Sequence, residues 1–150
     1  QQSSSIRTQL NFNHPIIELI WGIRRRCQEY SNNWFNFSGI DNKDPLFSAA
    51  LFLNNQSRFG SKPGPYFRLV QPYQHHTNIP DTYVYCYSFA LHPEDASPSG
   101  SCNFSRIDHV EFQLNLQDGL ANEPTTLIIF ARNWNVLRFR EGLAGLGFAN

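Results

Sequence analysis

Apolar residues in this chain alternate with polar or small ones in short runs and almost nowhere recur at helical spacing. A period of two is what a strand with one buried face requires. The clearest run spans 107–116, where Val110, Phe112, Leu114 and Leu116 share a face opposite His109, Glu111, Gln113 and Asn115. Residues 83–91 read as a second strand, with Tyr83, Tyr85, Tyr87 and Phe89 as an aromatic stripe and Val84, Cys86, Ser88 and Ala90 opposite. Residues 16–23 read as a third. Ile17, Leu19, Trp21 and Ile23 take one face, and Ile16, Glu18, Ile20 and Gly22 the other. Neither face is polar throughout, so this strand is expected to be covered on both sides, by a sheet and by a neighbouring subunit. Further strands are predicted at 47–53, from Arg58 and Phe59 onward, and at 125–132, the last as a well-buried strand. Trp134 then marks a bulge before a glycine-punctuated closing segment that ends at Phe148.

Breakers divide these runs. His14-Pro15 interrupts the start, since a proline donates nothing to a ladder. Asn54-Asn55 predicts a turn, and 60–65, with two glycines and two prolines, a loop. One short helical turn is predicted over 66–71, stopped by Pro72. Residues 28–45 form a long Asn-rich loop carrying Tyr30, Trp34, Phe35 and Phe37. Such an aromatic loop must fold over the sheet or supply a contact patch. Trp21, Trp34, Phe35 and Phe37 are therefore the candidate interface residues.

A tight corner is predicted ahead of the 107–116 strand. Pro98 fixes its own φ, and Gly100 permits a positive one. Ser99, Asn103 and Ser105 are expected to satisfy backbone groups there, and Arg106 to pair with an acidic group or a carbonyl. Together these readings give an all-β chain, an eight-stranded jelly-roll sandwich with long inter-strand loops and one short helical turn. Residues 1–9 are a linker or N-terminal arm, and 10–150 one jelly-roll domain.

Composition narrows the function. The 150 residues carry 12 basic and 12 acidic side chains, a formal charge of +0. A protein gripping nucleic-acid phosphates normally shows a basic excess, so direct nucleic-acid binding is not expected. Arg24-Arg-Arg26 reads either as a phosphate patch or as a strand end that is solvated or paired to carboxylates. No apolar run is long enough for a membrane-crossing helix, so membrane insertion is not expected. Methionine is absent and the chain opens with Gln1, which leads to the expectation of a processed chain or a piece of a longer one.

Catalytic chemistry finds little to stand on. His75 and His76 are adjacent, a poor chelate on a strand, while His14, His92 and His109 are scattered. Cys27, Cys86 and Cys102 lack paired zinc-knuckle spacing and make an odd set for disulfides. Cys102, Asp108 and His109 could be assembled into a nucleophile set only if the fold made them converge. Glycosylation-type triplets start at Asn36, Asn55 and Asn103. No catalytic residue, cofactor or metal site is expected. A carbohydrate-binding β-sandwich, or a cupin-like jelly-roll enzyme, is the alternative class.

The corner motif Pro98-Ser-Gly-Ser-Cys-Asn-Phe-Ser-Arg-Ile-Asp108, with Tyr87-Ser-Phe-Ala-Leu-His-Pro-Glu94 ahead of it, resembles the hallmark of major capsid proteins of large icosahedral double-stranded DNA viruses. Phe12-Asn-His-Pro15 with Glu18-Leu-Ile-Trp21, Tyr66-Phe-Arg-Leu-Val-Gln-Pro72 with His75 and His76, and Asn133-Trp-Asn-Val-Leu-Arg138 before Gly142-Leu-Ala-Gly145 are similar to the same family in the same order. The resemblance covers nearly everything after Leu10 and matches the second, C-terminal jelly roll of a double jelly-roll protein. It implies a structural shell protein forming trimers of pseudo-hexameric outline, located in the virion capsid and assembled in the host cytoplasm. The implied partners are further copies of the chain, neighbouring capsomers, minor capsid proteins and the absent first jelly roll.

Overall fold

The alternation over Val110–Leu116 becomes a strand whose inward residues are all buried and whose outward residues are half-exposed. The computed structural model describes residues 5–148. Among them are ten strands: β1 (Ser5–Gln9), β2 (Pro15–Arg25), β3 (Leu46–Leu53), β4 (Gln56–Pro63), β5 (Val84–Ser88), β6 (Cys102–Asn103), β7 (Val110–Leu116), β8 (Thr125–Asn133), β9 (Leu137–Arg140) and β10 (Leu143–Leu146). Two short α-helices, α1 (Arg26–Tyr30) and α2 (Gln71–His75), and a few tighter turns complete the chain.

One sheet runs β1-β7-β3-β4, antiparallel throughout. The second is built around β2. Residues 18–22 of β2 pair with β5 on one edge and β8 on the other, and β6 continues the β5 edge at Pro15 and Ile16. The two sheets close on each other as a sandwich. Trp21 of β2 meets Phe112 of β7 edge-on at 4.9 Å and stacks with Tyr85 of β5 at 5.8 Å. Phe59 of β4 meets Tyr87 of β5 at 4.5 Å. Ile16, Leu19, Ile23, Leu51, Phe67 and Leu114 fill the space between. Tyr85 also carries a polar tip: its hydroxyl donates to the Asp44 carboxylate and accepts from the Leu46 N–H. Burial, and then the Asp44 charge, push its ionisation far above the usual tyrosine value.

Several expectations are corrected. Residues 5–9, expected within a linker or arm, form β1 and pair with β7 over five residues; Ile6 packs against the core, which is reason enough to dock the segment. Residues 1–4 lie outside the described residues. The predicted loop at 60–65 starts as strand: β4 is an edge strand and runs to Pro63, and an edge is where a sheet tolerates proline. The single helical turn is longer than predicted. It winds in the wider i→i+5 manner over Tyr66–Val70 and continues as α2 through Pro72. Pro72 falls just after the junction, where the wider turn hands over to α2. The long loop opens with α1 and closes with a 3₁₀ turn at Ile40–Asn42.

Two C-terminal expectations also change. β8 is not well buried: it is an edge strand of partly exposed residues, and Phe130 is 64% exposed. The closing segment is a hairpin of β9 and β10 turning at Glu141-Gly142, both at positive φ, with Leu137, Phe139, Leu143 and Leu146 all exposed.

Candidate assembly surface

The core face of β2 carries Leu19, Trp21 and Ile23, so Glu18, Ile20, Gly22 and Arg24 must point outward. Register places Arg132, Phe130, Ile128 and Thr126 of β8 beside those four residues in turn. The outer face is therefore apolar in the middle and charged at both ends.

The long loop folds across the middle. The Phe37 ring lies on Gly22, where a Cβ would come within 2.8 Å of its Cδ1. Trp34 and Phe35 stand further out and are exposed, Phe35 at 85%. With Ile20, Val84, Ile128 and Phe130 they line an apolar groove of about 250 Å³. Arg24 anchors the loop. Its guanidinium donates to Glu29 Oε1 at 2.7 and 3.0 Å and to the Trp34 carbonyl at 3.2 Å, and sits 5.0 Å from the Trp34 ring centroid. Those Arg24 N–H groups hold the Glu29 carboxyl below its ordinary range, against the opposing effect of burial.

The arginine triplet is thus largely committed within the chain. Arg25 pairs with Glu123 at 2.7 Å and donates to the Gly39 carbonyl at 3.2 Å, while Arg26 is exposed. Of the four candidate interface residues, Trp34 and Phe35 are exposed and Phe37 is half-buried against Gly22. Trp21 is corrected outright: it is 1% exposed, sealed between Phe67, Tyr85 and Phe112, because its place in the alternation aims it at the opposite sheet.

The corner residues come together around the start of β2. Asn103 Oδ1 accepts from the Ser105 N–H at 3.1 Å and caps the 3₁₀ turn Phe104–Arg106. Ser105 Oγ accepts from the His14 N–H at 2.8 Å, tying the corner to the residue before β2. Ser99 Oγ accepts from the His92 N–H at 2.8 Å and donates to the His92 carbonyl at 3.1 Å. Gly100 adopts φ 150°, and a Cβ there would lie 2.8 Å from the Phe89 carbonyl oxygen. Pro98 precedes this close approach. Arg106 departs from expectation: it is exposed, with no ion pair or hydrogen bond among the described residues. Its position at the end of a one-turn helix aims it at solvent.

Sequence reasoning missed Ile128 and Phe130 as surface residues, and the apolar hairpin residues after them. The alternation Thr126-Ile128-Phe130-Arg132 was the available signal, since a face bounded by polar ends is a partly exposed one. No group of three or more metal-ligating side chains converges among the described residues.

Residues 1–145 match the family model for the large eukaryotic DNA virus major capsid protein. The chain belongs to that family. It is 49% identical over 110 residues to the major capsid protein of Phaeocystis pouchetii virus, covering 72% of this chain and 21% of that relative. It is 39% identical over 173 residues to the major capsid protein of Pyramimonas orientalis virus, covering 99% of this chain and 40% of the relative. A chain of the PBCV-1 virus capsid superimposes with a TM-score of 0.77 at 31% identity, covering 98% of this chain and 46% of the other. The Faustovirus major capsid protein shares the fold, with a TM-score of 0.71 at 11% identity. This capsid-family chain thus spans less than half the length of these relatives.

Proposed function

We propose that this capsid-family chain is a shell-building domain with a structural rather than catalytic role. The eight strands of its two facing sheets form a jelly roll, with the β9–β10 hairpin beside it, and this is the second of two jelly rolls in its polypeptide. Copies close into a trimer of pseudo-hexameric outline, and such trimers tile an icosahedral shell. Its partners are further copies, neighbouring capsomers, minor capsid proteins and the preceding jelly roll. Its place is the virion capsid, after assembly in the host cytoplasm.

One observation carries the reading at residue level: an apolar groove framed by Trp34, Phe35 and Phe130 lies open on the outer face of a sheet in a chain of capsid lineage. Interfaces that persist resemble a core cut in half and absorb such surface. Closed symmetry limits the open-ended association that an exposed patch invites. The balance of charge and the internally paired Arg24 and Arg25 favour protein over nucleic acid as the neighbour. A sugar site has less support, because the only charged group lining this groove among the described residues, Arg24, already serves Glu29 and the Trp34 carbonyl.

The test is Phe35→Asp with Phe130→Asp in the complete gene product, followed by sedimentation and thermal melting. Both residues are exposed, so melting should hold while trimers give way to single copies. Trimers surviving both substitutions would remove this surface from the contact, and a wild-type product that stays single would remove the trimer. Binding in a glycan screen would favour the carbohydrate-binding alternative.

A further inference from the structure

A carboxylate sits where an apolar residue would be simpler. Glu18 lies mid-strand on β2 and is 1% exposed. Its Oε1 receives Arg132 Nη1 from β8 at 3.3 Å. Its Oε2 has one basic neighbour among the described residues, His76 Nε2, at 3.0 Å. Neither buried atom gains a well-formed hydrogen bond, so the two attract each other by charge when the ring is protonated. The other ring nitrogen, His76 Nδ1, lies 3.2 Å from Glu94 Oε1. Glu94 in turn accepts from the Thr77 N–H at 3.2 Å and the Thr77 hydroxyl at 3.3 Å.

The imidazole of His76 therefore bridges two carboxylates, one buried and one at the surface. A neutral ring carries one N–H and one lone pair, and only imidazolium offers a proton to each side. We propose that His76 is a proton-operated clasp: protonated, it ties the Glu94 loop to the buried Glu18; neutral, it releases that loop.

Which side lets go follows from burial. Glu18 Oε2 has no other donor among the described residues, and an unmatched buried carboxylate is costly. The single N–H of a neutral ring stays on Nε2, facing Glu18. The Nδ1 lone pair then opposes Glu94, which can turn to water because its side chain is 40% exposed. The remaining groups around the ring do not replace the lost proton. Arg132 is engaged with Glu18 Oε1, and His75 on α2 is occupied with the Leu91 carbonyl at 2.9 Å. Cys86 on β5 is held as a neutral thiol by burial and by the Glu18 charge.

The sign follows by linkage. Closure takes up a proton on His76, so the clasp holds on the acid side and is lost as pH rises through the imidazole titration. Its acid limit is the protonation of Glu94. The Thr77 N–H, opposed by desolvation and helped by His76, holds that carboxyl below its ordinary 4.5. The inference is independent of the assembly reading, since every group in it belongs to one chain.

The experiment is amide exchange and imidazole ¹⁵N NMR on the whole chain across roughly pH 5 to 8, the span in which histidine charge changes. The Thr77 amide is the reporter because Glu94 accepts its proton. Its protection, corrected for intrinsic exchange, should fall about tenfold from the acid to the alkaline end. In His76→Gln it should not vary with pH, and in Glu94→Gln it should be low throughout. At the acid end both ring nitrogens of His76 should carry protons. Constant Thr77 protection in the wild type, persisting pH dependence in His76→Gln, or a neutral ring over the whole range would each overturn the clasp. The ¹⁵N measurement needs no variant, so the test survives if a substitution unfolds the chain.

Discussion

The ring of Phe37 rests on the backbone of Gly22, close enough that an added methyl would fall 2.8 Å from Cδ1 and 3.0 Å from Cε1. The absence of a side chain on β2 is what lets the aromatic loop lie down on the sheet. Gly22→Ala should lift Phe37 and cost about 1–3 kcal/mol, the usual range for overpacking. Chemical denaturation would read the loss, and a change in tryptophan emission would report the displaced loop through nearby Trp34.

The corner makes a separate prediction. Asn103→Ala removes the cap on the Phe104–Arg106 turn and should cost about 1 kcal/mol. Arg106→Ala should be near neutral, because Arg106 is exposed and has no partner among the described residues. Melting curves of the two variants side by side would check the contrast, and equal losses would contradict it.

The thiols should separate cleanly. Cys86 is buried, and burial together with the Glu18 charge pushes its thiol up to about 12. Cys102 is raised by burial, partly offset by Arg58. Cys27 is exposed. Near neutral pH a maleimide should label Cys27 first and Cys86 only on unfolding. Mass spectrometry of labelled peptides against time gives the order.

Acid stability should depend on Glu29. Its carboxyl is held below the ordinary 4.5, chiefly by the Arg24 hydrogen bonds, so it is ionised in the fold at a pH where the unfolded chain has taken up a proton. A depressed carboxyl contributes stability above the unfolded value and loses it as pH falls through the folded one. Glu29→Gln should therefore melt at a temperature that varies less with pH below 4.5 than the wild type does. Identical slopes for the two proteins would show that the pair is silent.

Strands were legible where one face was apolar and the other polar, as in β7, since burial imposes the period directly. β2 was located within a residue or two. On its outer face, His76 reaches Glu18 and Phe37 lies on Gly22, and neither contact was visible in the pattern. Partners 58 and 15 residues away leave no periodic trace. At the corner, Ser99 bonds His92 and Asn103 bonds Ser105, both within reach of a local reading. The tie from Ser105 to His14 spans 91 residues and leaves no local signal. Trp21 shows the opposite failure: alternation placed it on the core face, but a strand apolar on both faces was expected to meet a neighbour and Trp21 was counted with it. The helical turn over 66–71 was read, but its continuation was missed because Pro72 was taken as a stop, whereas it is accommodated where the wider turn passes into α2.

The pairing of β2 on both edges has a consequence for how such chains can vary. Residues 18–22 sit in two ladders at once, against β5 and β8. Inserting or deleting one residue there would break two registers together and turn Trp21 outward while driving Glu18 between the sheets. Length is free to drift where no ladder keeps count, as in the stretches 31–45, 89–101 and 117–124. A lineage built on this strand should diversify by lengthening its loops around a segment of fixed length.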